Sequence, residues 1–238
     1  MAGEESHIVA EAAERILADL ADPQNINQAN NGAWKAPLWG ALSEAGLPLA
    51  WVPEHLGGSG ASLADGFAVL GVAGRFALAV PLAETLAAGW LLARAGLEAP
   101  ATPMTVAPAR PHDRITLDAG GRLSGRATGV PFARDAQHIA VLAYRGNEPM
   151  IALAETKDCR LADGRNLAGD AANVVIFDGV KPLRSAPAPA HFEQRSLPLM
   201  GSAIRSVETA GALETVLSLS VAYANERVAF ERPIGKFQ

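Results

Sequence analysis

The chain has one cysteine, Cys159, in 238 residues. It can form no internal disulfide and no thiolate metal cluster, which fits a reducing cytoplasm. Cys159 sits in the polar run Lys157-Asp158-Cys159-Arg160 with no paired base nearby, so it reads as an incidental surface thiol rather than a nucleophile. Positive charge is also scarce. Twenty Lys and Arg against 25 Asp and Glu leave a net charge of −5 and a pI near 5.6, without the basic face of a phosphate-tracking nucleic-acid binder. No long apolar run is present. The most apolar stretch, 77–92, is interrupted by Pro81 and Glu84 and falls short of the ~20 residues that span a bilayer. The start, Met1-Ala2-Gly3-Glu4-Glu5, lacks the basic-then-apolar pattern of a signal peptide, so a cytoplasmic protein without a membrane span is expected. Five histidines show no metal-ligand spacing and no Ser/His/Asp arrangement, and no metal site is expected.

What the chain does have is apolar content: 49% hydrophobic residues against 19% charged, enough to bury a sizeable core. The first hundred residues read as helices. Ile8, Ile16 and Leu20 recur at helical spacing, and Pro23 marks the end of that segment. A second helix is expected over Trp34 to Ala45, stopped by Gly46. Ser62 can cap a third, with Asp65 completing a box-like pair; Phe67, Leu70 and Gly74 share its face. Pro81 suits the first turn of a fourth, which runs to Arg94-Ala95 and ends at Gly96.

The texture changes at Pro100. Four prolines between Ala99 and Pro111 predict a linker or long loop, and short strand-like runs follow. These are Ile115 to Leu117, Arg122 to Ser124, and His138 to Ala143 joined to Met150 to Leu153 through a turn at Arg145-Gly146-Asn147-Glu148. The clearest strand, Asn173 to Phe177, is ended by Asp178-Gly179. A second proline cluster, 185–189, closes the β region. Beyond it, Leu213, Leu217, Val221, Ala224 and Val228 fall at helical steps, predicting a helix from about Leu199 to Ala229 that Pro233 forbids from continuing. A helix that long cannot bury its apolar stripe alone and needs partners. The fold class is therefore α+β: an all-α domain over 1–100, a central β-barrel or sandwich over 101–192, and over 193–238 the first helix of a C-terminal bundle that is left incomplete.

Local sequence makes a match specific. The run 38–47, Leu-Trp-Gly-Ala-Leu-Ser-Glu-Ala-Gly-Leu, then 52–60, Val-Pro-Glu-His-Leu-Gly-Gly-Ser-Gly, and Pro81-Leu82-Ala83-Glu84-Thr85 resemble the N-terminal domain of the flavin-dependent acyl-CoA dehydrogenases. The C-terminal run 223–230, Tyr-Ala-Asn-Glu-Arg-Val-Ala-Phe, followed by 232–238, Arg-Pro-Ile-Gly-Lys-Phe-Gln, is similar to that family's flavin-contacting helix end. The middle, around Leu123-Ser124-Gly125 and Ala140-Val141-Leu142, fits more loosely. The glycine run 57–60 alone would read as a flexible turn rather than a phosphate cradle, since no strand precedes it and no Lys-Ser/Thr follows.

The resemblance implies FAD as cofactor, held in part by Arg227, Phe230, Phe237 and Gln238 reaching a neighbouring protomer's flavin dinucleotide. It also implies an acyl-CoA thioester substrate oxidised to the α,β-unsaturated enoyl-CoA, an electron-transfer flavoprotein or similar acceptor, and a homo- or hetero-oligomer. Arginine is a fixed fork for pyrophosphate oxygens and glutamine a neutral donor, which suits those roles.

Three departures from the family stand out. Its Thr-Glu-Pro-Gly-Ala-Gly-Ser-like flavin loop has no counterpart between Ala101 and Ile115. Where it carries Trp-Ile-Thr beside the flavin ring, this chain has Gly129-Val130-Pro131. The glutamate base that one subgroup places early in the long helix aligns with Gly201, and the commoner subgroup's position lies in a last helical region that the sequence does not contain. Glu208 and Glu214 match no catalytic position and read as solvated or bundle-flanking, so the catalytic residue is unassigned. The expected function is FAD-dependent acyl-CoA dehydrogenation; the alternatives are a non-catalytic partner subunit of a heteromeric dehydrogenase, or a truncated form inactive by itself.

Overall fold

The computed structural model describes residues 2–22, 26, 32–167, 169–193 and 195–237, with the backbone alone over 2–7. The expected helix stop at Pro23 and the expected flavin contact Gln238 lie outside the described residues.

Among the described residues, four α-helices come first. α1 (Ala2–Leu20) buries Ala13 and Leu17 completely, while Ile8 is 66% exposed, so its core face is rotated from the expected Ile8–Ile16–Leu20 line. α2 (Lys35–Glu44) buries Leu38 and Leu42, and Gly46, at φ 70°, takes the left-handed conformation that ends it. α3 (Leu63–Arg75) begins on the expected capping box: the Ser62 hydroxyl accepts from the Asp65 amide at 3.2 Å and the Asp65 carboxylate accepts from the Ser62 amide at 2.9 Å. α4 (Leu82–Arg94) starts with Pro81 as its cap, one residue outside the first turn. Their apolar faces meet in one core around Leu17, Leu42, Leu70 and Leu86.

Eight strands follow: β1 (Met104–Ala107), β2 (Ile115–Leu117), β3 (Leu123–Pro131), β4 (His138–Arg145), β5 (Glu148–Glu155), β6 (Arg160–Ala162), β7 (Ala172–Val180) and β8 (Arg184–Pro187). They form one sheet in the order β6-β7-β3-β2-β4-β5-β8, with β1 also on β4; β1 and β2 run parallel to β4 and the other pairs are antiparallel. The barrel-or-sandwich region thus takes the form of a single eight-stranded sheet.

β4 and β5 are buried on both faces. Val141, Ala143, Met150 and Ala152 join the sheet's own core, while the alternate residues Ala140, Leu142, Ile151 and Leu153 pack with Leu91 and Leu92 of α4. This explains why their sequence reads as continuous apolar runs. The expected hairpin turn is present, with Arg145 paired to Glu148 around Gly146 and Asn147.

Strand assignments differ from the sequence reading at several places: β6 was not expected, and β3 runs on past Ser124 to Pro131. β1 lies inside the expected proline-rich loop, because Pro103 and Pro108 bracket it without entering its ladder with β4. β7 continues through Asp178-Gly179: Gly179, at φ 66°, is an extra residue between the pairs Ser124–Asp178 and Leu123–Val180, so the turn signal marks a bulge. β8 falls in the second proline cluster, which is tolerated because it pairs only with β5 and ends at Pro187.

The long helix α5 spans Ser196–Glu226 and is about 46 Å long at 1.5 Å per residue. It starts three residues before the expected Leu199, since Pro198 is harmless in a first turn. It ends three before Ala229, where Arg227 turns extended (φ −70°, ψ 116°) and the chain enters a small hairpin of β9 (Val228–Ala229) and β10 (Arg232–Pro233). Pro233 is part of this hairpin, paired with Val228, and is not the helix stop. The first half of α5 crosses α3 at very short range. A Cβ built on Gly211 would lie 2.0 Å from the Gly71 carbonyl oxygen, and one on Gly74 2.1 Å from that of Glu208. Thr215 donates to the Arg75 carbonyl at 2.9 Å. Beyond it the helix leaves the body with Val216, Leu217, Leu219 and Val221 more than half exposed. No helix among the described residues is long and apolar enough to cross a membrane.

Candidate functional site

The structure places the chemically interesting residues at two places joined by α5. The first is the outer end of the long helix. Arg227 donates to the Tyr223 hydroxyl one turn back, and its guanidinium lies 5.5 Å from that ring's centroid. The Ile234 amide donates to the Arg227 carbonyl at 2.9 Å, which folds the last turn, Ile234–Lys236, back onto the helix end. The β9–β10 turn consists of Phe230 and Glu231, at φ 49° and 63°. Such a two-residue turn usually carries glycine or asparagine, so two ordinary side chains here store strain of order 1–3 kcal/mol each. Phe230 is held 91% exposed, 6.3 Å from the Phe237 ring in an edge contact. Arg232 covers Phe237 at 4.1 Å. Three of the expected cofactor residues, Arg227, Phe230 and Phe237, therefore converge at one exposed tip. Arg232 joins them there; it stands within the matching run, but was not singled out as a contact.

The second place is a cleft of about 470 Å³ between α4, the segment after β1, and the start of α5. All three family departures meet in it. Gly201 lines it, and a Cβ built on Gly201 would find nothing within 4 Å. Gly129 and Pro131 line the opposite wall, and the Pro131 carbonyl already accepts the Thr105 hydroxyl at 2.7 Å. The segment that replaces the flavin loop contributes Pro108 to Pro111. Gly201 and the tip are ~38 Å apart along the helix, so they cannot serve the same few atoms of one ligand.

One charged cluster borders this cleft, and sequence reasoning had not assigned it. Glu84 on α4, with only 2% of its side chain exposed, pairs through one oxygen with Arg205 on α5. Arg205 also holds Glu208 at 2.6 Å. The second Glu84 oxygen is buried with no partner in the described structure. Burial pushes the Glu208 carboxyl above the usual range, with Arg205 opposing and Glu84 adding to the rise. Burial works against the Arg205 charge, but the two carboxylates outweigh it and drive its pKa further up. The signal was present in the sequence: Glu84 is the one acid inside the apolar stretch 77–92.

Cys159 is no nucleophile. Burial, with help from Asp158, pushes its thiol up to about 12. It is less exposed than a surface thiol, because it packs against the sheet core. Glu214 is exposed on the outer half of α5. The glycine run 57–60 is a packed turn, in which a Cβ on Gly58 would strike the Val52 carbonyl at 2.1 Å.

An N-terminal helical layer, a sheet packed on its fourth helix and a long helix crossing the third define the architecture of known flavoprotein dehydrogenases. No protein-family model matches the chain. The acyl-CoA dehydrogenase IpdE2 of Mycobacterium tuberculosis is 28% identical over 239 residues, covering 99% of this chain and 68% of that protein. A solved structure of a Tcur3481-Tcur3483 steroid ACAD variant matches with a TM-score of 0.81 and 27% identity, over 100% of this chain and 71% of its own. The ChsE4-ChsE5 complex from Mycobacterium tuberculosis matches with a TM-score of 0.82 and 24% identity, over 98% and 70%. The chain is similar in sequence and fold to acyl-CoA dehydrogenases over nearly its whole length. It spans between 63% and 69% of the length of the curated relatives it matches.

Proposed function

We propose that the chain is one subunit of a heteromeric acyl-CoA dehydrogenase, and that it supplies the dinucleotide-holding end of a flavin site whose ring contacts and base come from a homologous partner. The assembly's reaction would be oxidation of an acyl-CoA thioester to the enoyl-CoA, with electrons passed to a flavoprotein carrier. The observation that carries this reading is Gly201: the place where a base would stand has no side chain and open space around it.

The fit of this chain to FAD divides by place. At the tip, two guanidiniums, Arg227 and Arg232, stand beside two exposed phenyl rings, Phe230 and Phe237. That donor set suits a pyrophosphate flanked by an aromatic base and ribose. At the cleft, Gly129 and Pro131 offer neither an indole nor a hydroxyl, and Pro131 has no N–H, so the residues do not fit a flavin ring. Bound FAD would supply acceptance of the hydride that leaves the substrate's β-carbon. This chain's share is to bind: Arg227 and Arg232 neutralise phosphate charge, Phe230 and Phe237 exclude water from the adenine side, and the strained Phe230-Glu231 turn keeps those rings outward. The exposed stripe Leu213, Leu217, Val221 and Val228 supports an assembly, since burying each such side chain is worth about 1.5–3 kcal/mol. The paired names of the Tcur3481-Tcur3483 and ChsE4-ChsE5 structures support a two-component one.

Co-expression with each homologous dehydrogenase subunit of the same genome tests this. A stable complex that retains flavin through gel filtration is expected, where the chain alone retains little. Full flavin retention by the isolated chain, with no complex formed by any homologue, would sink the proposal.

A further inference from the structure

A second cleft of about 490 Å³ opens beside the one at Gly201, and Arg110, Gly129, Pro131 and Arg205 line both. The first is walled largely by apolar groups, among them Ala83, Ala87, Val106, Leu197 and Ile204. The second is polar, with Arg165, Asn166 and Asp170 at its far side. Together they make a site with an apolar end and a polar end, each within the size range of small-molecule pockets.

Among the described residues, each charged side chain lining these clefts has at least one partner except Arg110, although one Glu84 oxygen is left without a hydrogen bond. Arg205 is held by Glu84 and Glu208. Arg165 donates to the Gly169 carbonyl at 2.7 Å, and Asp170 accepts from the Asn166 amide nitrogen at 3.1 Å. Arg110 has no hydrogen bond or ion pair from its guanidinium among the described residues, although it stands at the junction of the two clefts. Its position is built. Its carbonyl accepts the Asp113 amide at 3.2 Å, and the Asp113 carboxylate in turn accepts the Thr128 amide and hydroxyl at 2.6 and 2.8 Å, which ties the loop to β3. Pro108 and Pro111 fix the backbone on either side. Gly129, at φ 66°, leaves the room that the guanidinium uses: a Cβ there would lie 3.1 Å from Arg110 Nε.

We propose that the two clefts form one binding site for an amphiphile with a carboxylate head, the apolar body lying against α4 and α5 and the head on Arg110. The site is a ligand site rather than a reaction site. This part rests on the reading above, in which the cleft holds no base; the selection of an anion by Arg110 does not. Guanidinium and carboxylate match as fork to fork; Arg110 is exposed, so the contact is made in the presence of water and weakens with salt.

Octanoate and octanamide, equal in length and differing in charge, are the probes, titrated by calorimetry into the wild-type protein and the Arg110→Gln and Arg110→Lys variants. Wild type is expected to bind octanoate at least about tenfold more tightly than octanamide. Arg110→Gln should abolish that preference while leaving octanamide binding unchanged, Arg110→Lys should restore part of it, and added salt should shrink it. Equal affinity for the two probes, a preference that survives Arg110→Gln, or no binding of either would overturn the inference. Octanoyl-CoA turnover by the chain with its partner subunit is read separately. Its absence beside a clear octanoate preference would remove the dehydrogenase reading and leave the anion site standing. The reverse result would remove the anion site alone.

Discussion

The carboxylate of Glu84, buried inside α4, is held by the guanidinium of Arg205 on α5, a residue 121 positions later in the chain. This pair ties the long helix to the helical layer beside the cleft, and Glu208 braces Arg205 from the next turn. Replacing Arg205 with Met would leave a buried carboxylate without its cation. The expected cost is about 3 kcal/mol, the lower end for breaking a buried pair because Arg205 itself is half exposed. The double variant Glu84→Met with Arg205→Met should recover most of that loss. Urea denaturation of Arg205→Met, Glu84→Met and the double variant checks it; additive losses would show that the two side chains are not coupled.

Where α3 and α5 cross, the contact is backbone against backbone. Gly211→Ala would drive a methyl into the Gly71 carbonyl, a neighbour that cannot rotate away. Destabilisation of about 1–3 kcal/mol is expected, with Gly201→Ala, which faces open space, as the neutral control. Equal midpoints for Gly211→Ala and wild type in thermal unfolding would contradict the crossing geometry.

His138 makes stability depend on pH. Its ring nitrogen Nδ1 is 2.8 Å from the Thr102 hydroxyl, and burial, partly offset by Glu155, lowers its pKa below the usual value near 6.5. A depressed folded-state pKa means that the unfolded chain takes up the proton first. The contribution is therefore present above the unfolded value and is lost as pH falls through the lower folded value. The melting temperature should drop more between pH 7.5 and 5.5 in wild type than in His138→Asn. Parallel pH profiles would show that another group sets this dependence.

Much of the architecture was legible because each signal was local. The Ser62–Asp65 box, the Gly46 stop, the Gly146-Asn147 turn and the helical spacing of Leu213 to Val228 all act within a few residues. What was misread depended on distant partners. β1 and β8 look like proline-rich loop until β4 and β5 supply their ladders. The glycine at 179 reads as a stop when its strand in fact bulges against β3. At the candidate site, Arg227, Phe230 and Phe237 lie together because they stand in one contiguous run, which makes their clustering, though not their role, legible. The Glu84–Arg205–Glu208 cluster and the junction at Arg110 were not legible, since helix packing alone brings those segments together.

Arg227 is the tip residue whose role is most easily isolated. Arg227→Ala in the assembled protein should weaken flavin binding by about 1.5–3 kcal/mol, the worth of a charge-assisted hydrogen bond, with little effect on folding because the side chain is exposed. Unchanged retention of flavin in that variant would make Arg227 an ordinary surface residue.

Turnover of the purified chain with and without its partner tests the central claim most directly. General-base help is typically worth about 10²–10⁴-fold, and Gly201 can give none. Incubated alone with FAD, an artificial electron acceptor and a panel of acyl-CoA thioesters, the 238-residue chain is predicted to reduce no acceptor. Addition of the homologous subunit that co-purifies with it should start the reaction. Robust turnover by the chain alone would contradict the account and require a base among the residues assigned here only to structure.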